Sequence, residues 1–357
     1  MNVLLYLRRL DLQSGAGQLV RMQATGLMKA GARVRIRCRH GAVKFFLGTR
    51  LPVRPVSNAG VRALNDVREH IIVDNGMQLS GANVSFVHSL MTEAIIYLQR
   101  DDLDGEVERE AAYFGELSAD TTIVANSNLV KEALVKHFGL TAQRIVVHHP
   151  GFRSQVFASQ RAAELRGRAR EALQIGASTP VVGFITSGDF HKRGLDLFLA
   201  SAEQIAAARP EVRFLVVGSR RLPAWAASHP LITSGRLAYR PKNRRPEFWM
   251  AALDIFLYAA RFEAFGMVIS EAQALGIPVV TSRRVGAAEC FPEAYARWLI
   301  DAPDSAELAA KTLALLDDEQ ARVDLAQAGI DSVRKLDQQH YVDATVATIL
   351  AQNRRVR

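Results

Sequence analysis

The chain alternates short apolar runs with stretches whose apolar residues recur at helical spacing, and it does so in two successive series. NVLLYL (residues 2–7) reads as a strand, QLVRMQATGLMKAGA (18–32) as an amphipathic helix closing at Gly31, and VRIRC (34–38) as a second strand. NVSFVHS (83–89), TTIVAN (121–126), a helix over 128–139 and RIVVHHPG (144–151) keep the same beat. Strand, helix, strand in this order winds as a parallel sheet with helices on both faces. A turn-like PGFRSQVF (150–157) and a charged helical stretch (158–176) follow. A fresh series then runs through 180–186, a helix over 194–208, 212–218, 254–259, 277–282 and 297–300, and from Ser305 the pattern is helical nearly to the end. A chain of 357 residues is long for one hydrophobic core. The expected fold class is α/β, with two Rossmann-like doubly wound domains over 1–157 and 158–335 and a closing helix in 336–357.

Composition narrows the partners more than the fold. Hydrophobic residues make up 49% and charged residues 23%, the balance of a globular chain. Lys and Arg total 45 against 36 Asp and Glu, a formal charge of +9 that favours nucleic acid, acidic lipid headgroups or phosphorylated substrates. A generally basic enzyme satisfies the same number. Cys38 and Cys290 have neither zinc-site nor disulfide-scaffold spacing, which fits a reducing cytoplasm. The first residues lack the layout of a signal peptide, and no apolar run approaches 18 residues, so nothing is expected to span a bilayer. Lys44, Phe45, Phe46, Arg50, Arg54, Arg62 and Arg68 mix cations with aromatics. That stretch reads equally as a contact for anionic lipid or a phosphorylated glycolipid and as a solvated loop. The location expected is therefore cytoplasmic, with a peripheral position on the inner face of the membrane left open.

Three segments carry chemistry. SGAGQ (14–18) opens the first helix, and Gly15 and Gly17 would let a ligand approach backbone N–H groups at a positive helix end. The third glycine of GxGxxG is missing and no GxxxxGK[ST] exists, so a bare strand-to-helix turn competes with the binding reading. SGDFHKRGLD (187–196) stands at the carboxyl end of a strand, where open α/β sheets bind ligands. His191, Lys192 and Arg193 gather cations just before a helix; cations oppose the helix dipole there and call for an anion, and Lys with Arg suits a diphosphate. In RFEAFGMVISEAQ (261–273), Glu263 falls in a loop before a helix and Glu271 in its second turn. N–H groups from Phe265 and Gly266 to Met267 and Val268 could hold phosphate oxygens, while each carboxylate accepts hydrogen bonds from sugar hydroxyls.

Taken together, EAFGMVISEAQALGIPVVTS resembles the E-x7-E signature of retaining glycosyltransferases of family 4, which have the GT-B fold. Glu263, Phe265, Gly266, Glu271, Ala272, Ala274, Gly276, the Pro278–Thr281 run, Gly286 and Glu289 match in order. GDFHKRGLD resembles that family's phosphate segment, and VANS, KEAL and RIVVHHPGF resemble the end of its first domain. Within the family the lipopolysaccharide core glucosyltransferases are most similar. The resemblance implies two domains facing each other across a cleft, the first binding acceptor, the second binding donor, and the last helix folding back on the first. It implies transfer of a hexose, with retained configuration, from a UDP-, GDP- or ADP-linked sugar to a hydroxyl of a glycan or glycolipid. No metal and no cofactor beyond the donor are implied. By the same resemblance Glu263 touches the donor sugar, Glu271 the ribose, Lys192 and Arg193 the diphosphate, and His88 lies by the sugar. Where the family often has Gly-Arg, this chain has Gly188-Asp189, so the diphosphate clamp is altered and either Lys192 or Arg193 can be its main cation.

Other readings compete. Asp102–Asp104 in RDDLD spells DxD, a metal motif in other glycosyltransferases, yet between helical segments it reads better as a helix cap. His148 and His149 are strand neighbours pointing to opposite faces, so at most one lines a site. A GT-B-type epimerase or phosphorylase is the enzyme rival. A basic nucleic-acid-binding protein is the other, but no RRM or zinc finger is present, so nucleic acid is not the expected partner.

Overall fold

The structure, a computed structural model, describes residues 1–10, 14–41, 53–64, 70–98, 103–243 and 245–352. It divides into two units, Met1–Gly151 with Gln338–Arg357, and Phe152–Asp337.

In the first unit the described elements run β1 (Asn2–Leu10), α1 (Gly15–Lys29), β2 (Arg33–Gly41), β3 (Val53–Pro55), α2 (Asn58–Leu64), β4 (Ile71–Asp74), β5 (Val84–Val87), α3 (Met91–Leu98), α4 (Asp104–Glu116), β6 (Thr122–Ala125), α5 (Asn128–Phe138) and β7 (Ile145–Val147). The strands form one parallel sheet in the order β3-β2-β1-β4-β5-β6-β7. Strand periodicity sorts the side chains. Val3, Leu5 and Leu7 join Val34, Ile36 and Cys38 in a core on one face. Leu4 and Tyr6 join Ile72 and the α2 residues Val61 and Leu64 on the other. Ser14 starts α1 by accepting from Gly17 N at 3.1 Å. The chain's last helix, Gln338–Ala351, lies against α1 so closely that a Cβ on Gly26 would come 2.4 Å from Val342 Cγ1, and Ile349 is buried in the first unit's core.

The second unit follows with α6 (Ser159–Ala172), β8 (Val181–Ile185), α7 (Leu195–Ala208), β9 (Arg213–Gly218), β10 (Leu237–Pro241), α8 (Pro246–Met250), β11 (Ile255–Tyr258), α9 (Met267–Ala274), β12 (Val279–Ser282), β13 (Leu299–Ile300), α10 (Ser305–Asp317) and α11 (Glu319–Ser332). Its parallel sheet has the order β10-β9-β8-β11-β12-β13. VVGFI, IFLY and VVTS are buried at every position, as parallel strands covered on both faces require.

The division falls at Gly151–Phe152 instead of after residue 157, because Phe152 and Phe157 are both buried in the second unit's core. Phe152 N also donates to Leu336 O at 3.0 Å, which draws the far boundary to Asp337. The charged stretch 158–176 is a structural staple. From α6, Arg166 donates to Asp254 at 2.6 Å and to Leu253 O at 2.9 Å, while buried Arg170 binds Ala252 O at 2.9 Å and Gly176 O at 2.7 Å. The carbonyls of Ala252 and Leu253 lie just before β11 and that of Gly176 lies just after α6, so the arginines satisfy loop carbonyls that no apolar side chain could serve.

Candidate active site

Strand order in the second unit reverses between β8 and β11. A crevice forms outside the carboxyl ends of strands at such a switch point, and the two segments that leave these strands are 186–194 and 259–266. The first closes as a tight turn. Gly188 N donates to Thr186 Oγ1 at 3.0 Å, Lys192 N to Asp189 Oδ1 at 2.9 Å and Arg193 N to Asp189 O at 3.0 Å. Asp189, the residue in place of an expected cation, thus shapes the turn. Gly194 then takes φ +72° at the cap of α7 and presses on the end of β11: a Cβ there would stand 2.0 Å from Ala259 O. Gly194→Ala is expected to cost more than about 3 kcal/mol, from the backbone clash and the left-handed φ together. Thermal unfolding checks this, and a melting temperature unchanged within a degree would contradict the close approach.

The turn delivers Arg193 to Glu263. The guanidinium pairs with the Glu263 carboxylate and also donates to Phe262 O at 3.3 Å, and it lies across Gly188, where an added Cβ would be 3.0 Å from its Nε. Burial works against the charge of Arg193, but Glu263 outweighs it and its proton is held more firmly than usual. Tyr258 donates to Glu263 Oε2 at 3.2 Å, and burial raises the pKa of that hydroxyl. The Glu263 backbone is fixed as well: its N–H donates to Arg284 O at 3.0 Å, and its carbonyl accepts from Gly286 N at 2.9 Å. Lys192 points elsewhere, with Nζ 5.5 Å from the Phe262 ring centroid. Arg261 holds Asp196 through both guanidinium nitrogens, at 2.8 and 2.5 Å, and tethers the two loops by donating to His191 O at 2.9 Å.

Gly266, at φ +94°, caps α9 without a side-chain hydrogen bond. The leading N–H groups at Met267 and Val268 therefore start the helix with no intrahelical acceptor and a positive dipole end. Phe265 is buried, and its carbonyl accepts from Ala287 N at 2.7 Å, which holds the loop down on the segment after β12. Glu271 follows in the second turn of α9. Burial raises its carboxyl pKa to about 8, against the pull of Arg153 and with a further push from Glu247. Arg153 and Glu247 were not singled out in the sequence. Arg153 is the second residue of the second unit, in the turn-like PGFR, and Glu247 is a helix residue in an uninformative stretch.

The remaining sequence candidates lie in the first unit. Gly15 and Gly17 form the first turn of α1, and Gly17 N–H is taken by Ser14. His88 follows β5, with Nε2 2.9 Å from Asn75 Oδ1, and Asn75 exchanges two hydrogen bonds with Gln23. Burial pushes its pKa down to about 4, so the imidazole is neutral at pH 7. His148 follows β7, within 3.3 Å of Thr348 Oγ1, and burial followed by His149 lowers its pKa. Asp104 is the first residue of α4, and Asp102 lies outside the described residues. Of the basic stretch, Arg54 stands on β3 and Arg62 on α2, while Lys44, Phe45, Phe46, Arg50 and Arg68 lie outside the described residues. Among the described residues no helix is long and apolar enough to cross a membrane.

Comparison with known proteins points to the same unit. Residues 166–332 match the family "Glycosyl transferases group 1". The D-inositol 3-phosphate glycosyltransferase of Pseudarthrobacter chlorophenolicus is 26% identical over 271 residues, covering 71% of this chain and 62% of the relative. A GDP-mannose-dependent monoacylated alpha-(1-6)-phosphatidylinositol monomannoside mannosyltransferase of Corynebacterium glutamicum is 32% identical over 180 residues, 46% of this chain and 45% of that one. The chain thus spans less than two thirds of the length of these relatives. Among solved structures, WaaG, a glycosyltransferase involved in lipopolysaccharide biosynthesis, is similar with a TM-score of 0.79 at 18% identity, over 97% of this chain and 99% of that one. Anabaena Alr3699/HepE in complex with UDP and glucose gives 0.77 at 17%, over 98% and 100%. The fold is GT-B, built of two Rossmann-like units, and residues 166–332 of the second unit match the glycosyl transferases group 1 family.

Proposed function

We propose that the protein is a retaining, metal-independent glycosyltransferase of family 4. It would move a hexose from a nucleoside-diphosphate sugar to a hydroxyl of a glycan or glycolipid in cell-envelope polysaccharide synthesis. The observation that carries this reading is the pairing of Arg193 with Glu263 at the β8/β11 switch point, beside the uncapped start of α9 and one helical turn from Glu271. A diphosphate at the N–H groups of Met267 and Val268 would lie against a positive helix end. Arg193 and Lys192 would neutralise the charge that develops on the leaving diphosphate, stabilisation of the oxyanion-hole kind. Glu263 would accept from hydroxyls of the donor sugar and Glu271 from those of the ribose.

Solved neighbours hold UDP and UDP-glucose, which supports a nucleotide-sugar donor. The names of two relatives carry inositol 3-phosphate and phosphatidylinositol, which supports a polar, phosphorylated acceptor. Arg54 and Arg62 would add attraction to an anionic membrane surface.

Thermal shift against UDP-, GDP- and ADP-sugars tests the donor class, and stabilisation by none of them overturns the reading. In kinetics, Glu271→Ala should raise the KM for donor, while Glu263→Ala should lower kcat by about 10²-fold or more. Unchanged parameters in both would remove the assignment.

A further inference from the structure

On the first unit's sheet, the face that carries Leu4 and Tyr6 on β1 changes character at β2. Its residues there are Arg33, Arg35, Arg37 and Arg39, alternating with the buried Val34, Ile36 and Cys38 of the opposite face. Parallel pairing of Leu7 with Cys38 and of Arg9 with His40 sets Arg8 beside Arg39. Strands in such a pair lie about 4.8 Å apart, so the two side chains leave the same face as neighbours. A third guanidinium arrives from α4: Arg109 pairs with Glu106, and Arg8 reaches the same carboxylate at 3.8 Å. Arg8 and Arg109 thus share one carboxylate, and the strand register sets Arg39 beside Arg8. The neighbouring acids are already engaged, Glu110 by Met91 N, Thr92 N and Thr92 Oγ1, and Asp74 by Gly76 N, Gln78 N and Leu79 N.

The position is also informative. Strand order in this unit reverses between β1 and β4, and the cluster lies at the carboxyl ends of β1 and β2, on the ligand-binding edge of a doubly wound sheet. The turn after β4 crosses close by, since a Cβ on Gly76 would come within 2.9 Å of Arg8 N. Arg8 keeps 42% of its side-chain surface exposed, whereas Arg109 Nη2 is buried beside Glu106 and its Nε donates to Gly105 O at 3.3 Å. Repulsion is built in: burial, then Arg8 and more weakly Arg39, lower the pKa of Arg109 against the pull of Glu110. Like charges held together at a ligand edge are stabilised when an anion binds, and guanidinium forks match a phosphate in geometry as well as charge.

We propose that Arg8, Arg39 and Arg109 form a subsite that binds a phosphate group carried by the acceptor. Only the word acceptor rests on the transferase reading; the anion site stands on this unit alone. Two sources share the chemistry, a phosphorylated sugar free in solution and a phosphate in a lipid headgroup.

Isothermal titration of the full chain with glucose 6-phosphate, and with glucose as the uncharged control, tests the subsite. Arg39→Gln and Arg109→Gln should each weaken glucose 6-phosphate by about tenfold, the loss of one charge-assisted contact. Arg33→Gln, on the same face but roughly 20 Å back along β2, should bind as the wild type does. Phosphate held by Lys192 and Arg193 in the second unit would persist in every variant and cannot mimic this pattern. Flotation with phosphatidic acid vesicles, against phosphatidylcholine vesicles, separates the sources: Arg39-sensitive flotation without Arg39-sensitive glucose 6-phosphate binding assigns a lipid headgroup. Arg39→Lys guards against misfolding, since it should bind between wild type and Arg39→Gln with an unchanged circular dichroism spectrum. The proposal is overturned if neither probe depends on Arg39 or Arg109, or if glucose binds as well as its phosphate. Donor binding by the same variants should be unchanged, so a failed donor panel and a failed phosphate titration remain separate results.

Discussion

Arg193→Ala is expected to destabilise the second unit by about 2–3 kcal/mol, because it leaves the Glu263 carboxylate largely buried beside a tyrosine and without its cation. A full 3–5 kcal/mol would require complete burial; here 17% and 13% of the two side chains remain exposed, and solvent recovers part of the loss. For a unit of this size that corresponds to about 5–10 °C in melting temperature. Glu263→Gln should be milder, since Tyr258 and the backbone still hold the side chain in place. The double variant decides whether the pair is coupled: losses that merely add would show the two groups to be independent. In a transfer assay Arg193→Ala should lower kcat further than Lys192→Ala, because Arg193 is the cation fixed at the switch point while Lys192 stands over the Phe262 ring. Equal losses would place the diphosphate on both.

Raising the pH from about 4.5 to about 8 should weaken the second unit through Glu271, on the order of 2 kcal/mol after solvent contact with the half-buried side chain is allowed for. The sign follows from linkage. The folded carboxyl titrates near 8 and the unfolded one near 4.5, so between those values the folded state binds more protons. Its contribution is complete below 4.5 and is lost as pH rises through 8. Glu271→Gln cannot ionise and should remove that slope while keeping the shape of the side chain. Denaturant midpoints of both proteins at pH 5, 7 and 9 measure it, and parallel curves would show that Glu271 is ordinarily ionised. Nucleotide affinity should move the other way and rise toward pH 8, since the ionised carboxylate accepts hydrogen bonds from both ribose hydroxyls.

Long apolar runs were legible in the sequence because parallel strands covered on both faces need no polar alternation. VVGFI and IFLY are cases, and so is the helix over 128–138 with its Ser127 cap and Gly139 stop. Short or mixed strands escaped. Ile71–Asp74 has four residues, and Leu237–Pro241 carries a tyrosine, an arginine and a proline, so neither shows a period; neighbouring strands define them. The boundary after residue 157 was misplaced for a similar reason. PGFRSQVF has the composition of a turn, and only packing reveals that Phe152 and Phe157 belong to the second core.

The site divides in the same way. Residue types and spacing within a single segment placed Glu263 before a helix and Glu271 in its second turn, because helix starts and strand ends are local events written in glycine, apolar runs and capping chemistry. Sequence alone therefore determined two doubly wound domains and the segment most worth examining. Only the tertiary structure joined Arg193 to Glu263, 70 positions apart in effect but adjacent at a reversal of strand order. It alone raised the pKa of Glu271, turned the arginines of α6 into staples for β11 and set Arg39 beside Arg8, which shares one carboxylate with Arg109. The physical reason is that charge pairing and desolvation depend on distance through space, and strand order, which sets those distances, is decided by the packing of the whole sheet.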